Sequence, residues 1–200
     1  NAHGAHRLLL NRVDAPFSDE SLTRLPGTAR SAMGVAAGDL DGDGDTDLVF
    51  AVPEARTCVL INNGQGTFAD ESAVRFPAVA DPTQAVLLTD ANRDGALDLV
   101  ALNRGSRGRL FLNDGRGFFA EAPAGHMPAD PIDSRQAMVA DVDADGVPDL
   151  VIAAGATGLR LWRNDGMGRF SDQTAERLPP LTDFVIAPAA GDIDEDGDLD

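Results

Sequence analysis

Apolar residues along this chain fall in short runs, such as Val35-Ala36-Ala37, Leu48-Val49-Phe50-Ala51-Val52 and Val59-Leu60-Ile61, with Gly, Asp, Asn and Pro between them. Runs of this length bounded by turn residues predict strands rather than helices. In the unit that starts near Met33, strand one is expected at Val35 to Ala37 and strand two at Leu48 to Val52. Strand three is expected at Val59 to Asn62 and strand four at Thr67 to Asp70. An acidic loop joins strands one and two, and Asn62-Asn63-Gly64-Gln65-Gly66 joins strands three and four. Asn and Gly supply the positive φ angles a tight hairpin demands.

The pattern recurs at a fixed period. Acidic runs begin at Asp39, Asp90, Asp141 and Asp192, each 51 residues after the last. Asn11, Asn62, Asn113 and Asn164 keep the same spacing, as do Phe17, Phe68, Phe119 and Phe170, and Pro26, Pro77, Pro128 and Pro179. No insertion or deletion interrupts the series, so one supersecondary unit is repeated with loops of constant length. Four antiparallel strands in about 50 residues make one propeller blade, which cannot bury both faces alone. Neighbouring blades must stack, with Leu60, Phe111 and Trp162 filling the gaps between them. The expected fold is an all-β propeller region, with residues 1–30 as the second half of a blade, blades at 31–81, 82–132 and 133–183, and the start of another at 184–200. Part of a larger propeller suits this inventory better than a closed four-bladed ring, in which the last strands would complete the first half-blade.

The acidic loops predict a metal site. Carboxylates two residues apart that converge on one point repel one another unless a cation neutralises them. In the first loop, side-chain oxygens of Asp39, Asp41, Asp43 and Asp47 occupy positions 1, 3, 5 and 9, Gly44 permits the sharp turn at position 6, and the Asp45 carbonyl serves position 7. This is a hard, all-oxygen set of calcium type. The second loop offers Asp90, Asn92, Asp94, the Ala96 carbonyl and Asp98; the third offers Asp141, Asp143, Asp145, the Val147 carbonyl and Asp149. The fourth offers Asp192, Asp194, Asp196, the Asp198 carbonyl and Asp200. No His or Cys falls in any loop, which disfavours transition metals. An EF-hand needs an acid at position 12, where this chain has Phe50, Ala101 and Ile152 inside strand patterns. The second loop, with Asn92 for an acid and Arg93 beside it, is expected to bind most weakly.

Charge agrees with that assignment. The 200 residues carry 33 acids against 16 bases, all of them arginine, for a net charge of −17. Fifteen of the acids are proposed ligands, and without them the net charge would be −2. Such acidity excludes a nucleic-acid binder, and no apolar run approaches the roughly 20 residues of a membrane span. The first residues also lack the layout of a secretory signal. The single cysteine, Cys58, reads as a half-buried strand residue. His126 is the best candidate for catalysis because no other unit has His there, but no Ser-His-Asp or Cys-His grouping accompanies it. The end of each blade opposite the acidic loops varies from unit to unit and is where a ligand would be read. Asn103, Arg104, Ser106 and Arg107 are expected in one of its loops, and Arg104, Arg107 and Arg135 are candidates for one anion-binding patch.

At the D-h-D-x-D-G-x-x-D loops followed by Leu-Val, the sequence resembles the FG-GAP or VCBS-type repeat, the blade unit of the integrin α-subunit propeller and of many bacterial surface and secreted proteins. The resemblance covers essentially the whole chain. It implies a propeller, usually of seven blades, with Ca²⁺ in three or four of the loops already described. It further implies an extracellular, cell-surface or periplasmic setting and a role in adhesion or binding of a protein or glycan ligand. The alternative is the propeller portion of a secreted polysaccharide-active or redox enzyme.

Overall fold

The computed structural model describes residues 6–27, 31–181, 183–197 and 199. A hairpin of β1 (Leu9–Arg12) and β2 (Ala15–Asp19) leads into a one-turn helix, α1 (Ser21–Arg24). The first full blade is β3 (Gly34–Gly38), β4 (Asp47–Ala51), β5 (Cys58–Asn62) and β6 (Phe68–Asp70), followed by α2 (Ser72–Arg75). The second contains β7 (Thr83–Thr89), β8 (Asp98–Ser106), β9 (Arg109–Asn113) and β10 (Phe119–Glu121), with β11 (Ile132–Asp133) in the connection that follows. The third is β12 (Gln136–Ala140), β13 (Asp149–Ala153), β14 (Leu159–Asn164) and β15 (Phe170–Asp172), then α3 (Thr174–Arg177).

Each blade is an antiparallel meander, its strands hydrogen-bonded in chain order. The fold is therefore all-β and built of propeller blades. The register repeats with the period: Leu48 faces Leu60, Leu99 faces Phe111 and Leu150 faces Trp162. Among the described residues, no strand from 183–197 pairs with β1 or β2.

The core lies between blades. Val49, Val59 and Phe76 of the first blade meet Val86, Leu99 and Phe111 of the second. Val100, Leu102 and Leu110 of the second meet Leu150, Ile152 and Trp162 of the third. Phe50, Cys58 and Leu60 form a third cluster with Leu25 of the opening unit. Alternate residues of strand two thus serve opposite neighbours, as a period of two requires. Phe111 and Trp162 are almost wholly buried, at 1% and 2% exposure, as expected for residues that fill the gaps between blades. Cys58 is buried rather than half-buried.

Two local features depart from the strand pattern. After strand four, Asp19, Asp70 and Asp172 accept hydrogen bonds from the backbone N–H of Ser21, Ser72 and Thr174. The hydroxyls of those residues accept from Leu8, Val59 and Leu161, which pins a single helical turn against strand three. In the second blade Pro123 stands at the Ser or Thr position and the turn does not form. That blade also has the longest strand two, with β11 continuing the edge that β7 leaves. Asn103, Arg104 and Ser106 are therefore strand residues, which corrects their expected place in a loop. Asn103 is fully buried and cannot read a ligand: its side chain accepts from Thr83 Oγ1 and donates to the Arg107 carbonyl.

Candidate metal centre

The first three acidic loops each close the hairpin between strands one and two, and in all four the backbone is woven onto the loop's own carboxylates. Position 1 accepts the N–H of the glycine at position 6 in all four loops: Gly44 to Asp39 at 3.0 Å, Gly95 to Asp90 at 3.1 Å, Gly146 to Asp141 at 2.9 Å and Gly197 to Asp192 at 3.0 Å. Position 5 accepts the N–H of position 7: Asp45 to Asp43, Ala96 to Asp94 and Val147 to Asp145. Position 9 is buried completely, and each of its oxygens accepts one backbone N–H. Asp47 takes those of Leu40 and Asn62, Asp98 those of Ala91 and Asn113, and Asp149 those of Val142 and Asn164.

Position 4 also has positive φ in every loop, at Gly42, Arg93, Ala144 and Glu195. Only the first loop uses glycine there, so the other three hold a side chain in the left-handed region at a cost of about 1–2 kcal/mol each. Sequence reading assigned that conformation to position 6 alone; the missed signal is the recurrence of small or turn-forming context on both sides of position 4.

The loops bring carboxylates together unequally. Oxygens of Asp39, Asp41 and Asp43 lie within 4.8 Å of one another, as do those of Asp141, Asp143 and Asp149, and those of Asp192, Asp194 and Asp196. In the third loop Asp145 turns away to Arg163, at 2.8 Å, and Arg163 also reaches Asp143 at 2.5 Å. The Asp45 side chain lies toward Gly64 in the neighbouring hairpin, consistent with a carbonyl-only role. In the second loop Asn92 donates to Asp94 at 2.8 Å. Asp90, Asp94 and Asp98 belong to no three-acid group among the described residues. Asp198 and Asp200 lie outside the described residues.

The electrostatics fit a missing positive charge. Burial raises the Asp41 carboxyl above its ordinary range, Asp43 and Asp39 add to that, and Arg75 opposes it. One oxygen each of Asp41 and Asp143, the same position in two loops, is buried with no hydrogen-bond partner. Burial likewise raises Asp47 and Asp149, and lifts Asp98 to about 6, despite two backbone donors to each. An oxygen-only cage with buried, unsatisfied carboxylate atoms suits a hard divalent cation.

Two rows of residues position these loops, and sequence reading found neither role. Asn113 and Asn164 close the hairpin between strands three and four by accepting from Gly115 and Gly117 and from Gly166. Their side-chain N–H groups donate to position 8 of their own loop and to position 2 of the preceding blade's loop, Leu40 and Ala91. The second row is Arg24, Arg75, His126 and Arg177. Arg24 and Arg75 donate to carbonyls of the next blade's hairpin, Gln65 and Arg116. Arg75 and Arg177 also face Asp41 and Asp143, at 3.3 and 3.8 Å. His126 takes this place in the second blade, with Nδ1 at 3.0 Å from the Gly168 carbonyl. Its position is that of a latch between blades. Where the loop has lost an acid, at Asn92, the latch has lost its permanent charge.

At the variable end, Arg104 and Arg135 share Asp133, at 3.4 and 3.0 Å, while Arg107 pairs with Glu121 at 3.5 Å beside Arg109. The three arginines are thus two groups and not one patch.

The FG-GAP-like repeat family matches residues 1–50, 42–101, 90–152 and 141–200. Cartilage acidic protein 1 of Xenopus tropicalis is 27% identical over 167 residues, 78% of this chain. The chain spans about a quarter of that relative's length, 26%. A solved structure of an Agrocybe aegerita lectin that recognises non-reducing terminal N-acetylglucosamine aligns with a TM-score of 0.47 at 22% identity, over 68% of this chain and 36% of that one. No helix among the described residues is long and apolar enough to cross a membrane.

Proposed function

The chain belongs to the FG-GAP-like repeat family, and from that premise we propose that it is a calcium-stabilised, non-catalytic propeller region of an exported protein that binds a ligand at the variable end of its blades. Ca²⁺ is held by positions 1, 3, 5 and 9 of the loops with the carbonyl of position 7. The ligands are Asp39, Asp41, Asp43, Asp45 and Asp47 in the first loop, Asp90, Asn92, Asp94, Ala96 and Asp98 in the second, and Asp141, Asp143, Asp145, Val147 and Asp149 in the third. A fourth site is Asp192, Asp194, Asp196, Asp198 and Asp200. The observation that carries this reading is the pair of buried, unpartnered oxygens on Asp41 and Asp143.

Calcium here is structural. With the affinities of extracellular calcium modules, of order 10⁻⁴ to 10⁻³ M, 1 mM Ca²⁺ stabilises each site by about 0.4–1.4 kcal/mol. Such sites fill outside the cell and stay empty in a cytosol, which supports an extracellular, surface or periplasmic location. The place of His126 in the latch row, with Nδ1 at 3.0 Å from the Gly168 carbonyl, gives it a structural role between blades.

Thermal unfolding in EDTA, in 1 mM Ca²⁺ and in 1 mM Mg²⁺ tests the proposal. A midpoint several degrees higher in Ca²⁺ alone is expected; equal midpoints in all three would overturn it.

A further inference from the structure

The first strands of the three blades, β3, β7 and β12, lie side by side around a cavity of about 550 Å³. Strand one runs toward its acidic loop, so its first residues stand at the variable end. There the cavity is lined by Gln84, Arg135 and Gln136, while further along it is lined by small and apolar side chains.

Arg135 is a singular residue of the repeat: Met33, Gln84 and Ile186 hold the same place in the other units. Arg104 is too, with Pro53 and Gly155 as its counterparts. Asp133 draws the two guanidinium groups together, at 3.0 Å from Arg135 and 3.4 Å from Arg104. One carboxylate between two guanidiniums leaves a net positive charge in a chain that is otherwise strongly acidic. The Nε of Arg135 is buried and has no hydrogen-bond partner.

The Arg135 guanidinium also lies 5.6 Å from the centre of the Phe184 ring, which is 59% exposed. Gly155, at φ +55°, makes room for this group. A Cβ there would meet Asp133 at 3.1 Å, Arg135 at 3.5 Å and Phe184 at 3.6 Å.

We propose that Arg135, which lines the variable end of the cavity, and Arg104, gathered to it by Asp133 just outside, take the carboxylate of an acidic sugar whose ring lies against Phe184. Paired guanidiniums match a carboxylate in charge and in planar donor geometry. The carboxamides of Gln84 and Gln136 both donate and accept, which suits hydroxyl groups. A sugar ring sets hydroxyl groups beside its carboxylate for the two carboxamides to meet, which an aspartate or glutamate side chain of an acidic peptide lacks. This inference rests on the reading of the variable end as the ligand surface.

Calorimetric titration with trigalacturonate at low salt and fixed 1 mM Ca²⁺ tests it. Binding is expected, weakened at least about tenfold in Arg135→Gln and several-fold in Arg104→Gln and Phe184→Ala. Unchanged thermal midpoints in these variants show that each remains folded. Equal binding of neutral trigalactose would overturn the proposal, as would binding indifferent to both arginines. A glutamate-rich peptide that binds in the same arginine-dependent way, with trigalacturonate inert, overturns the sugar assignment in favour of a protein partner. A Ca²⁺-dependent midpoint without trigalacturonate binding sinks this inference alone; binding without that dependence sinks the calcium scaffold alone.

Discussion

The two ends of the blades are held in different ways. At the acidic-loop end the same bonds recur in blade after blade, and nearly all of them join a side chain to the backbone. The position 6 N–H meets the position 1 carboxylate within 0.2 Å of the same distance in four loops, from 2.9 to 3.1 Å. At the other end, ion pairs join side chain to side chain, and only part of them recurs: Arg109–Glu121 returns as Arg160–Asp172 and as Arg7–Asp19, while Arg109–Asp81 and the group of Arg104, Arg135 and Asp133 occur once among these pairs. Backbone groups stand in the same place in every repeat, so a side chain that bonds to them must be kept. Exposed ion pairs contribute little stability and are free to change. One end carries the fold and leaves the other free to vary.

The sharpest way to break this comparison is to remove one staple from each end. Asn113→Ala removes donors to Leu40 and Leu97 and an acceptor for Gly115 and Gly117. It should cost about 2–4 kcal/mol in chemical unfolding, because buried backbone partners are left unsatisfied. Arg107→Ala, at a half-exposed pair, should stay within about 0.5 kcal/mol. Similar losses at the two sites would end the distinction.

A second effect follows from the buried carboxylate at position 9. Asp98 is lifted to about 6 in the folded chain by burial, against an ordinary value of 3.8. Between those values the native state binds more protons than the unfolded chain, so stability should rise as pH falls through 6 toward 4. Melting in EDTA should therefore show a higher midpoint at pH 5 than at pH 7. In 1 mM Ca²⁺ the trend should invert, because protonation expels the ion. A falling midpoint in EDTA over that range would contradict the burial of an uncompensated charge.

The third loop differs from the first in facing a second arginine besides the one in the latch row. Arg163 stands where the first two blades have Ile61 and Leu112, and it neutralises Asp143 and Asp145. Arg163→Leu should tighten Ca²⁺ at that loop several-fold in calorimetric titration and leave the first loop unchanged. The smallest expected effect concerns position 4. Ala144→Gly relieves a left-handed alanine at φ 56° and should stabilise by about 0.5–1 kcal/mol, whereas Gly42→Ala should destabilise by a similar amount.

Much of the architecture was legible before any coordinates. Strand one of the first full blade was expected at 35–37 and lies at Gly34–Gly38; strand two was expected at 48–52 and lies at Asp47–Ala51. Strong turn chemistry at Asn62 to Gly66 and the unbroken period left little freedom. The one-turn helices escaped because four residues carry no helical periodicity, although Asp-x-Ser or Asp-x-Thr at Asp19, Asp70 and Asp172 announced an Asx turn. The extended β8 escaped because Arg104-Gly105-Ser106 reads as a turn. It is extended by pairing with β11, in a connection more than 25 residues further on, through a bulge at Gly105, φ +72°. The acids that converge in the loops were readable from spacing, but Arg163, Arg75 and Arg177 were not, since each reaches a loop from an element outside it.

By itself, then, the sequence determined the blade: its strands, its turns, the convergence of acids in one loop and the faces that must be covered. All of these rest on interactions within about 30 residues, repeated at a period that sequence displays directly. Tertiary structure decided what happens between blades. Asn113 reaches a carbonyl 73 residues away, His126 takes the latch place of arginine, and Arg104 meets Arg135 through Asp133. Those contacts depend on the angle and height at which one sheet stacks on the next, and that is set by the fit of Phe111 and Trp162 in the core rather than by any local pattern.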